Sequence, residues 1–369
     1  MLFPVLARYS EDLGASPTQA GFLVASFSLA QLVVSPLSGR LSDRIGRKPV
    51  LLCSLVGTAI GSLLTGMAGS LWILFAARLI DGASGASVSV AQASVTDVAA
   101  PEDRARLLGL LGAAFGVGFA LGPAIGGAVA LIDHRLPFFV AAAIAGGNAL
   151  VAIRRLPETN PPERRAQRQP AAETTLHEPR PEGISPLVAA SFLGLVAFSG
   201  FEATFSLLTK VRFGLSEPAT YGVFAGIGIA LVVVQGGLVH PVVARLGELQ
   251  TLRFGFACNA MGLLLLAPGD GGWPLLIAAL LLLVVGQGLV TPTLTAAVAG
   301  RARATERGAA LGIQQAAGGL ARVAGPSLAG VLFDARVAAP YLVGAALVIA
   351  AQLCLGWRRA GIVPAAANP

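Results

Sequence analysis

Eleven apolar segments, each about as long as a bilayer is thick, limit what this chain can fold into more than any other feature. A transmembrane helix needs about 20 mostly apolar residues. Only 12% of the 369 residues are charged, against about 25% in soluble proteins. The sequence therefore predicts an all-α membrane protein. The segments are 20–38, 50–68, 71–95, 107–131, 137–153, 186–209, 219–239, 252–268, 274–299, 308–332 and 339–357.

The basic residues are divided unequally between the predicted loops. If the loop after residue 38 is cytoplasmic, 19 of the 26 lysines and arginines lie on the cytoplasmic side, five on the other side and two inside helices. Cytoplasmic loops of membrane proteins are enriched in these residues. This distribution of lysines and arginines predicts an orientation with a cytoplasmic C-terminus, and the net charge of +7 then gives no reason to expect a nucleic-acid partner.

Three sequence pairs separated by the same 203 residues indicate that the chain has two similar halves. We expect an N-terminal half over 1–153, a linker over 154–185, a C-terminal half over 186–357 and a cytoplasmic tail over 358–369. The linker is expected to be flexible and cytoplasmic, because its arginines, acids and prolines cannot bury a core. The pairs are 103–109 with 306–312, Gly122-Pro123 with Gly325-Pro326, and Pro137-Phe138 with Pro340-Tyr341.

The repeat also predicts a first helix that the sequence contains only in part. The partner of 186–209 would begin before residue 1 and end near residue 6, so that only Phe3-Pro4-Val5-Leu6 belong to it. A misassigned start codon or a real truncation would explain the shortfall. A chain of eleven helices is the alternative.

The loop between the first two complete segments carries a family motif. Residues 39–49 read Gly-Arg-Leu-Ser-Asp-Arg-Ile-Gly-Arg-Lys-Pro. This stretch resembles the signature loop G-x-L-x-D-R-x-G-R-K/R-P between helices 2 and 3 of the major facilitator superfamily. The helix count, the linker and the repeat extend the resemblance over essentially the whole chain. The resemblance implies the major facilitator fold, with two six-helix halves around a central cavity and helix 1 largely missing here. The eleven segments given above are accordingly numbered helices 2 to 12, so that 71–95 is helix 4 and 107–131 is helix 5.

The same loop is expected to form a tight turn, with glycines that allow the chain to reverse between two helices. Its acid is able to cap a helix N-terminus or to pair with a nearby arginine. The resemblance implies a latch that joins the two halves on the cytoplasmic side. The alternative is a solvated turn whose charges only set the orientation. This latch loop comprises Gly39, Asp43, Arg44, Gly46, Arg47 and Lys48, with Asp97 at the end of helix 4 as a third partner.

A glycine-rich stretch in helix 5 resembles the g-x-x-x-G-P-x-x-G-G motif of antiporters, notably drug–proton exchangers. Glycines four residues apart give a helix one smooth face that other helices can approach closely, and a proline relaxes the helix at its centre. The resemblance implies export in exchange for protons, whereas the alternative is ordinary close packing. The motif consists of Gly118, Gly122, Pro123, Gly126 and Gly127.

Helix 4 carries two charges inside the predicted membrane. Arg78 and Asp81 are three residues apart and therefore share a helix face, with Gln92 on the same stripe. A charge at the bilayer centre costs at least about 2.5–3.5 kcal/mol and by default faces the interior of the bundle. Two interpretations stay open here, a structural ion pair and a proton-linked site that Arg78 modulates.

The second half offers further candidates for a proton or substrate site. Glu202, in helix 7, is the first candidate for the proton carrier or for binding a cationic substrate, because a low-dielectric cavity disfavours a charged carboxylate. Arg322, on a face with Gln315 in helix 11, is expected to balance Glu202 or to bind an anionic substrate. Gln287 heads a predicted cavity wall with Thr291 and Thr295, although hydrogen bonding between helices is an equally good interpretation.

These features predict a secondary transporter in a bacterial inner membrane that exports a small hydrophobic or drug-like molecule by alternating access. We expect a monomer with no cofactor and no metal, driven by the proton gradient, with a small-molecule substrate and the lipid bilayer as partners. No catalytic set of residues predicts an enzyme. The alternatives are an exporter of a sugar or another metabolite and a truncated membrane protein that does not transport.

Overall fold

The computed structural model describes residues 3–85, 87–99, 104–163, 184–268, 272–302 and 307–356. Every regular element in these ranges is helical. Nine of the described helical spans are long and apolar enough to cross a membrane, and 339–355 is a shorter apolar helix. The elements are α1 (Phe3–Asp12), α2 (Pro17–Ile45), α3 (Arg47–Gly66), α4 (Leu71–Ser84), α5 (Ser87–Val98), α6 (Arg104–Ala130), α7 (Leu136–Arg155), α8 (Ser185–Phe213), α9 (Glu217–Val233), a π-helical turn (Val234–Leu238), α10 (Val239–Leu246), α11 (Glu248–Leu266), α12 (Gly272–Arg301), α13 (Arg307–Ala335) and α14 (Ala339–Gly356).

Short polar signals set several helix ends. Ser16 caps α2 in a complete capping box with Gln19, which satisfies two backbone N–H groups that the helix itself cannot pair. At the far end of α8, Gly214 adopts a left-handed conformation, and its N–H closes the last turn onto the carbonyls of Lys210 and Thr209. These ends determine where the chain leaves one membrane-spanning helix and enters the next.

Two of the predicted segments are not single α-helices. The segment 71–95 divides at Gly85 into α4 and α5. The segment 219–239 becomes α9, the π-helical turn and α10, and it continues to Leu246. A π turn contains i→i+5 hydrogen bonds and locally widens a helix. Apolar periodicity does not reveal such interruptions, since they leave the composition unchanged.

The predicted repeat is visible in the structure. Helices α7 and α14 begin 203 residues apart, at Leu136 and Ala339, and each has a proline in its first turn. In the N-terminal half, α3 packs against α4 and α7. In the C-terminal half, α8 packs against α13 and α14, and α11 packs against α12. The largest buried cluster lies in the C-terminal half and includes Phe205, Phe256 and Tyr341.

The two halves meet along the helix pairs α2–α13 and α6–α9. Gly21 of α2 lies directly on α13: a Cβ at this position would be 3.2 Å from the Cα of Gly330 and closer still to the Pro326 carbonyl oxygen. Gly127 of α6 lies on α9, where a Cβ would be 2.6 Å from the carbonyl oxygen of Tyr221. Small residues thus allow the halves to approach backbone to backbone.

We call the end of the bundle that carries residues 39–49 the latch end, and the other the opposite end. Between described residues, the hydrogen bonds and ion pairs that join the halves lie at the opposite end. The Thr18 hydroxyl and its N–H, at 3.0 Å, donate to the Asp334 carboxylate. Lys210 pairs with Glu11 at 2.9 Å. The buried Arg8 donates to the Leu215 carbonyl at 3.3 Å.

Several helix ends differ from the predicted segments, and α2 alone runs from Pro17 to Ile45 where 20–38 was predicted. Helix α1 runs to Asp12, whereas its last residue was predicted near residue 6, and its buried Ala7 contributes to the core of the C-terminal half. Helix α7 runs to Arg155, and the next few residues pack against the N-terminal half. Residues 164–183 of the predicted linker and the tail from 357 lie outside the described residues.

Candidate functional site

The latch loop turns at Gly46, which has a φ of +111° between α2 and α3. An L-residue with a side chain rarely adopts this conformation. Gly39 does not take part in the turn, which corrects the expectation from the sequence. It lies inside α2, six residues before the helix ends at Ile45. The chain therefore reverses between α2 and α3 as predicted, and Gly46 alone of the two predicted glycines forms the turn.

Arg47 is the centre of the loop and is almost completely buried. One terminal nitrogen of its guanidinium contacts the Asp43 carboxylate at 2.7 Å, Nε contacts the Asp97 carboxylate at 2.9 Å, and the other terminal nitrogen donates to Ser42 Oγ at 2.6 Å. The predicted grouping of Asp43, Arg47 and Asp97 thus exists as a set of contacts. Asp43 pairs with Arg47, while Arg44 is exposed. All three partners belong to the N-terminal half.

Asp43 does not cap the N-terminus of α3. That role falls to Glu158, which the sequence analysis did not single out: it accepts the backbone N–H of Arg47 at 2.8 Å and that of Lys48 at 3.2 Å. The Lys48 ammonium donates to the Ile153 carbonyl at 2.9 Å. The only signal in the sequence was an acid shortly after the end of α7, which by itself does not indicate a contact 111 residues away.

The glycines at the two ends of the α6 motif, Gly118 and Gly127, differ in how closely other helices approach them. Gly127 touches α9, and Gly122 and Gly126 are buried. A Cβ on Gly118, nearer the latch end, would meet no heavy atom within 4 Å. Pro123 lies within α6, but its side chain is outside the described part of the chain. The smooth face is therefore used toward the opposite end of the bundle.

Arg78 and Asp81 form a buried ion pair in α4, with 3.1 Å between the guanidinium and the carboxylate. The guanidinium carbon also lies 4.4 Å from the centroid of the Phe27 ring in α2. Cation–π contacts of this kind stabilise a desolvated cation. The expectation that Gln92 shares this stripe is wrong, because Gln92 belongs to α5 and its side chain is exposed.

Glu202 of α8 and Arg322 of α13 lie on two helices that pack against each other, within range of an electrostatic interaction. Next to them the two helices are very close, since the hydroxyl of Ser199 donates to the Ala321 carbonyl at 3.3 Å. Gln315, two turns earlier on α13, is exposed. The structure therefore places the acid and the base on neighbouring helices, with Gln315 exposed on the same helix as Arg322, and the role of Arg322 as a countercharge stays a prediction.

Gln287 does not head a cavity wall. It is buried between α11 and α12, where its carbonyl accepts from the Asn259 amide at 3.4 Å and its own amide donates to Thr291 at 3.1 Å. Thr291 and Thr295 are exposed. Of the two interpretations, hydrogen bonding between helices is thus the one that the geometry supports. Asn259 was missed, because an amide within an apolar run has no distinctive pattern.

Two repeated helical bundles, with buried charges at helix contacts and membrane-length helices throughout, define a class of protein, the two-bundle membrane transporter. The family profile of the Major Facilitator Superfamily matches residues 1–271 and 237–366, and the chain belongs to this family. The match includes the latch loop, the helix 5 motif and all of the buried charges described above.

Similar proteins cover almost the whole chain. The tetracycline resistance protein of class C from Escherichia coli is 31% identical over 98% of this chain and 92% of its own length. Multidrug resistance protein 2 of Bacillus subtilis is 28% identical over 97% of this chain and 91% of its own length.

Two solved structures resemble the fold. The human organic anion transporter MFSD10 (TETRAN) has a TM-score of 0.67 and 29% identity, over 91% of this chain and 83% of that one. A mutant of the nucleoside transporter NupG has a TM-score of 0.72 at 13% identity, over 96% of this chain and 94% of that one. At that identity NupG supports the fold alone.

Proposed function

We propose that this chain exports small hydrophobic or drug-like molecules across a bacterial inner membrane in exchange for protons. The observation that carries the proposal is the similarity, over 98% of the chain, to a relative named as a tetracycline resistance protein. Relatives named as multidrug resistance proteins support it as well. The proton gradient is the proposed energy source, and no cofactor is required.

The proposed proton carrier is Glu202. A carboxylate that has left water is costly in its charged form, and Arg322 supplies a positive charge that is able to hold the ionised state or to bind substrate in its place. The Arg78–Asp81 pair is a second candidate for proton coupling. Gln92 and Gln315, both exposed, are proposed as contacts for the substrate.

We propose that the latch end is cytoplasmic, in agreement with the distribution of basic residues. The contacts between the halves at the opposite end then close the periplasmic side, and the described conformation faces the cytoplasm. The division into two halves joined by a cytoplasmic linker, a cytoplasmic C-terminus and a monomeric state belong to the same proposal. Asp43, Arg47 and Asp97 would engage the second half when the transporter faces outward.

A second candidate function is the transport of organic anions. The relative with a solved structure at 29% identity is named as an organic anion transporter. Arg78 and Arg322 are cations inside the bundle, and a cation at membrane depth is a site for an anionic group. The two candidate functions differ in the charge of the substrate and therefore in the probe that is transported.

The experiment compares the full chain with its Glu202→Gln variant in proteoliposomes that carry an imposed pH gradient. We expect wild type to transport tetracycline or tetraphenylphosphonium in response to the gradient, and Glu202→Gln to lose this response while it still binds the probe. Glu248→Gln is the matched control, because Glu248 is an exposed acid in the first turn of α11. Transport that still follows the pH gradient in Glu202→Gln contradicts the assignment of the carrier. Transport of organic anions alone favours the second function.

A further inference from the structure

The stretch that follows α7 contains an acid, Glu158, that the proposed transport cycle does not use. Its carboxylate accepts three backbone N–H groups, those of Arg47 at 2.8 Å, Lys48 at 3.2 Å and Asn160 at 2.8 Å. The first two belong to the first turn of α3, where N–H groups have no partner within the helix. Hydrogen bonds to an ionised acceptor are about twice as strong as neutral ones. A single side chain thus ties the start of α3 to the end of α7.

The turn of the latch loop is shaped around this carboxylate. Gly46, with its φ of +111°, aims the next two N–H groups at Glu158. A Cβ on Gly46 would be 2.9 Å from the carboxyl carbon and closer still to one of its oxygens. The glycine is therefore needed both for its backbone conformation and for the approach of the acid.

The residues on either side of Glu158 also contact the N-terminal half. Leu156 packs against the small apolar cluster of Val50, Leu51 and Val90. Asn160 is buried, and its amide donates to the Asp43 carbonyl at 3.3 Å. The stretch 156–160, which we call the strap, therefore contacts the latch loop on both sides of the Gly46 turn, at Asp43 and at Arg47.

The second half has no equivalent of this arrangement among its described residues. Gly247, with a φ of +77°, begins α11 as Gly46 begins α3, but a Cβ on Gly247 would meet no heavy atom within 4 Å. The repeat offset of 203 residues aligns Glu158 with Gly361, which has no carboxylate. The acid in the second half is Glu248, inside the helix itself. The strap is therefore a feature of the half that carries the latch loop.

We propose that Glu158 is a positioning residue for the latch loop. The strap fixes the start of α3, so that Arg47 keeps its contacts with Asp43 and Asp97 while the two halves rock, and the loop meets the second half in one geometry. Loss of the carboxylate loosens the loop and slows the conformational step, with no change at the substrate site. The part of this proposal that concerns transport rests on the proposed function, whereas the part that concerns the loop does not.

The test uses the purified full chain as wild type, Glu158→Ala and Glu158→Gln. Glu163→Gln is the matched control, because Glu163 is an exposed acid five residues further along the same segment. Hydrogen exchange followed by mass spectrometry reports on peptides that cover residues 44–51. Transport of tetracycline and of tetraphenylphosphonium in proteoliposomes is measured beside equilibrium binding of the same probes.

We expect exchange at the start of α3 to become about tenfold faster or more in Glu158→Ala, since tenfold corresponds to 1.4 kcal/mol, and to change less in Glu158→Gln, which keeps one carbonyl oxygen. The transport rate falls several-fold while the dissociation constant stays within about twofold, and Glu163→Gln behaves as wild type. Unchanged exchange in Glu158→Ala overturns the proposal. Faster exchange with unchanged transport would show that Glu158 holds the loop, and it would overturn the claim that Glu158 affects the conformational step. If wild type moves neither probe, the proposed function fails, and the exchange data still decide whether Glu158 holds the loop.

Discussion

Gly21 offers the most direct test of how the two halves meet. In the described conformation its Cα faces α13 so closely that an added methyl group would be 3.2 Å from the Gly330 Cα and nearer to the Pro326 carbonyl oxygen. Both neighbours are backbone atoms, and therefore no side chain can turn away. The helices α2 and α13 must separate by roughly 1 Å to restore an ordinary C···O contact of about 3.3 Å.

The Gly21→Ala substitution thus penalises one conformation specifically. Overpacking a close contact costs about 1–3 kcal/mol, and this cost disappears once the halves part at the opposite end. The ratio of separated to closed molecules should therefore rise by about 5–150-fold, the range to which 1–3 kcal/mol corresponds. Gly147→Ala is the matched control, because Gly147 is an exposed residue of α7 in the same half and a Cβ there would meet no heavy atom within 4 Å.

Spin labels at Asp133 and Arg336 report the separation, since both residues are exposed at the opposite end and belong to different halves. Double electron–electron resonance should show a longer-distance population in Gly21→Ala and the wild-type distribution in Gly147→Ala. The wild-type distance distribution in both variants would refute the reasoning, because it would mean that α2 and α13 do not approach this closely when the halves are closed. A shift in both variants would trace the effect to helix propensity.

Two further predictions concern buried polar groups. Asp81→Ala leaves the Arg78 cation buried without its 3.1 Å partner and should lower stability by about 3–5 kcal/mol. Adding Arg78→Met should recover most of this loss, as measured by thermal unfolding in detergent. If the stability losses of the two substitutions simply add, the pair is not structural. Gln287→Ala should lower stability by about 1–3 kcal/mol, because Asn259 loses its partner, while the affinity for tetracycline or tetraphenylphosphonium stays the same. A tenfold weaker affinity would instead indicate that Gln287 lines the substrate cavity.

Properties that depend on composition and period were predictable from the sequence. Apolar runs reveal membrane-length helices because lipid imposes their length, and the repeat of 203 residues recurs in the starts of α7 and α14. The contact of Arg47 with Asp43 was also accessible, because only three residues separate the two in the sequence, although they lie in different helices on either side of the Gly46 turn. The division of helix 4 at Gly85 was not predictable, and for that reason the prediction that Gln92 shares a helix face with Arg78 and Asp81 failed.

Contacts between distant segments were beyond the reach of the sequence. Thr18 and Asp334 are 316 residues apart, and Glu158 and Arg47 are 111 apart. In each case a carboxylate meets the exposed N–H groups at the start of a helix, and many acids of a chain are chemically able to do this. Which acid does so depends on how the helices pack, which no local pattern encodes.

Carboxylates accept the N–H groups at the starts of α2 and α3, and the two contacts suggest how the conformational change is confined to the interface between the halves. Asp334 reaches the start of α2 from the other half, so its contact must break whenever the halves separate at that end. Glu158 reaches the start of α3 from within the same half, so its contact can persist throughout. The same kind of contact therefore breaks and re-forms where it crosses the interface between the halves, and persists where it lies within one half. Substitutions at Asp334 should therefore shift the balance between conformations, whereas substitutions at Glu158 should change how fast they interconvert.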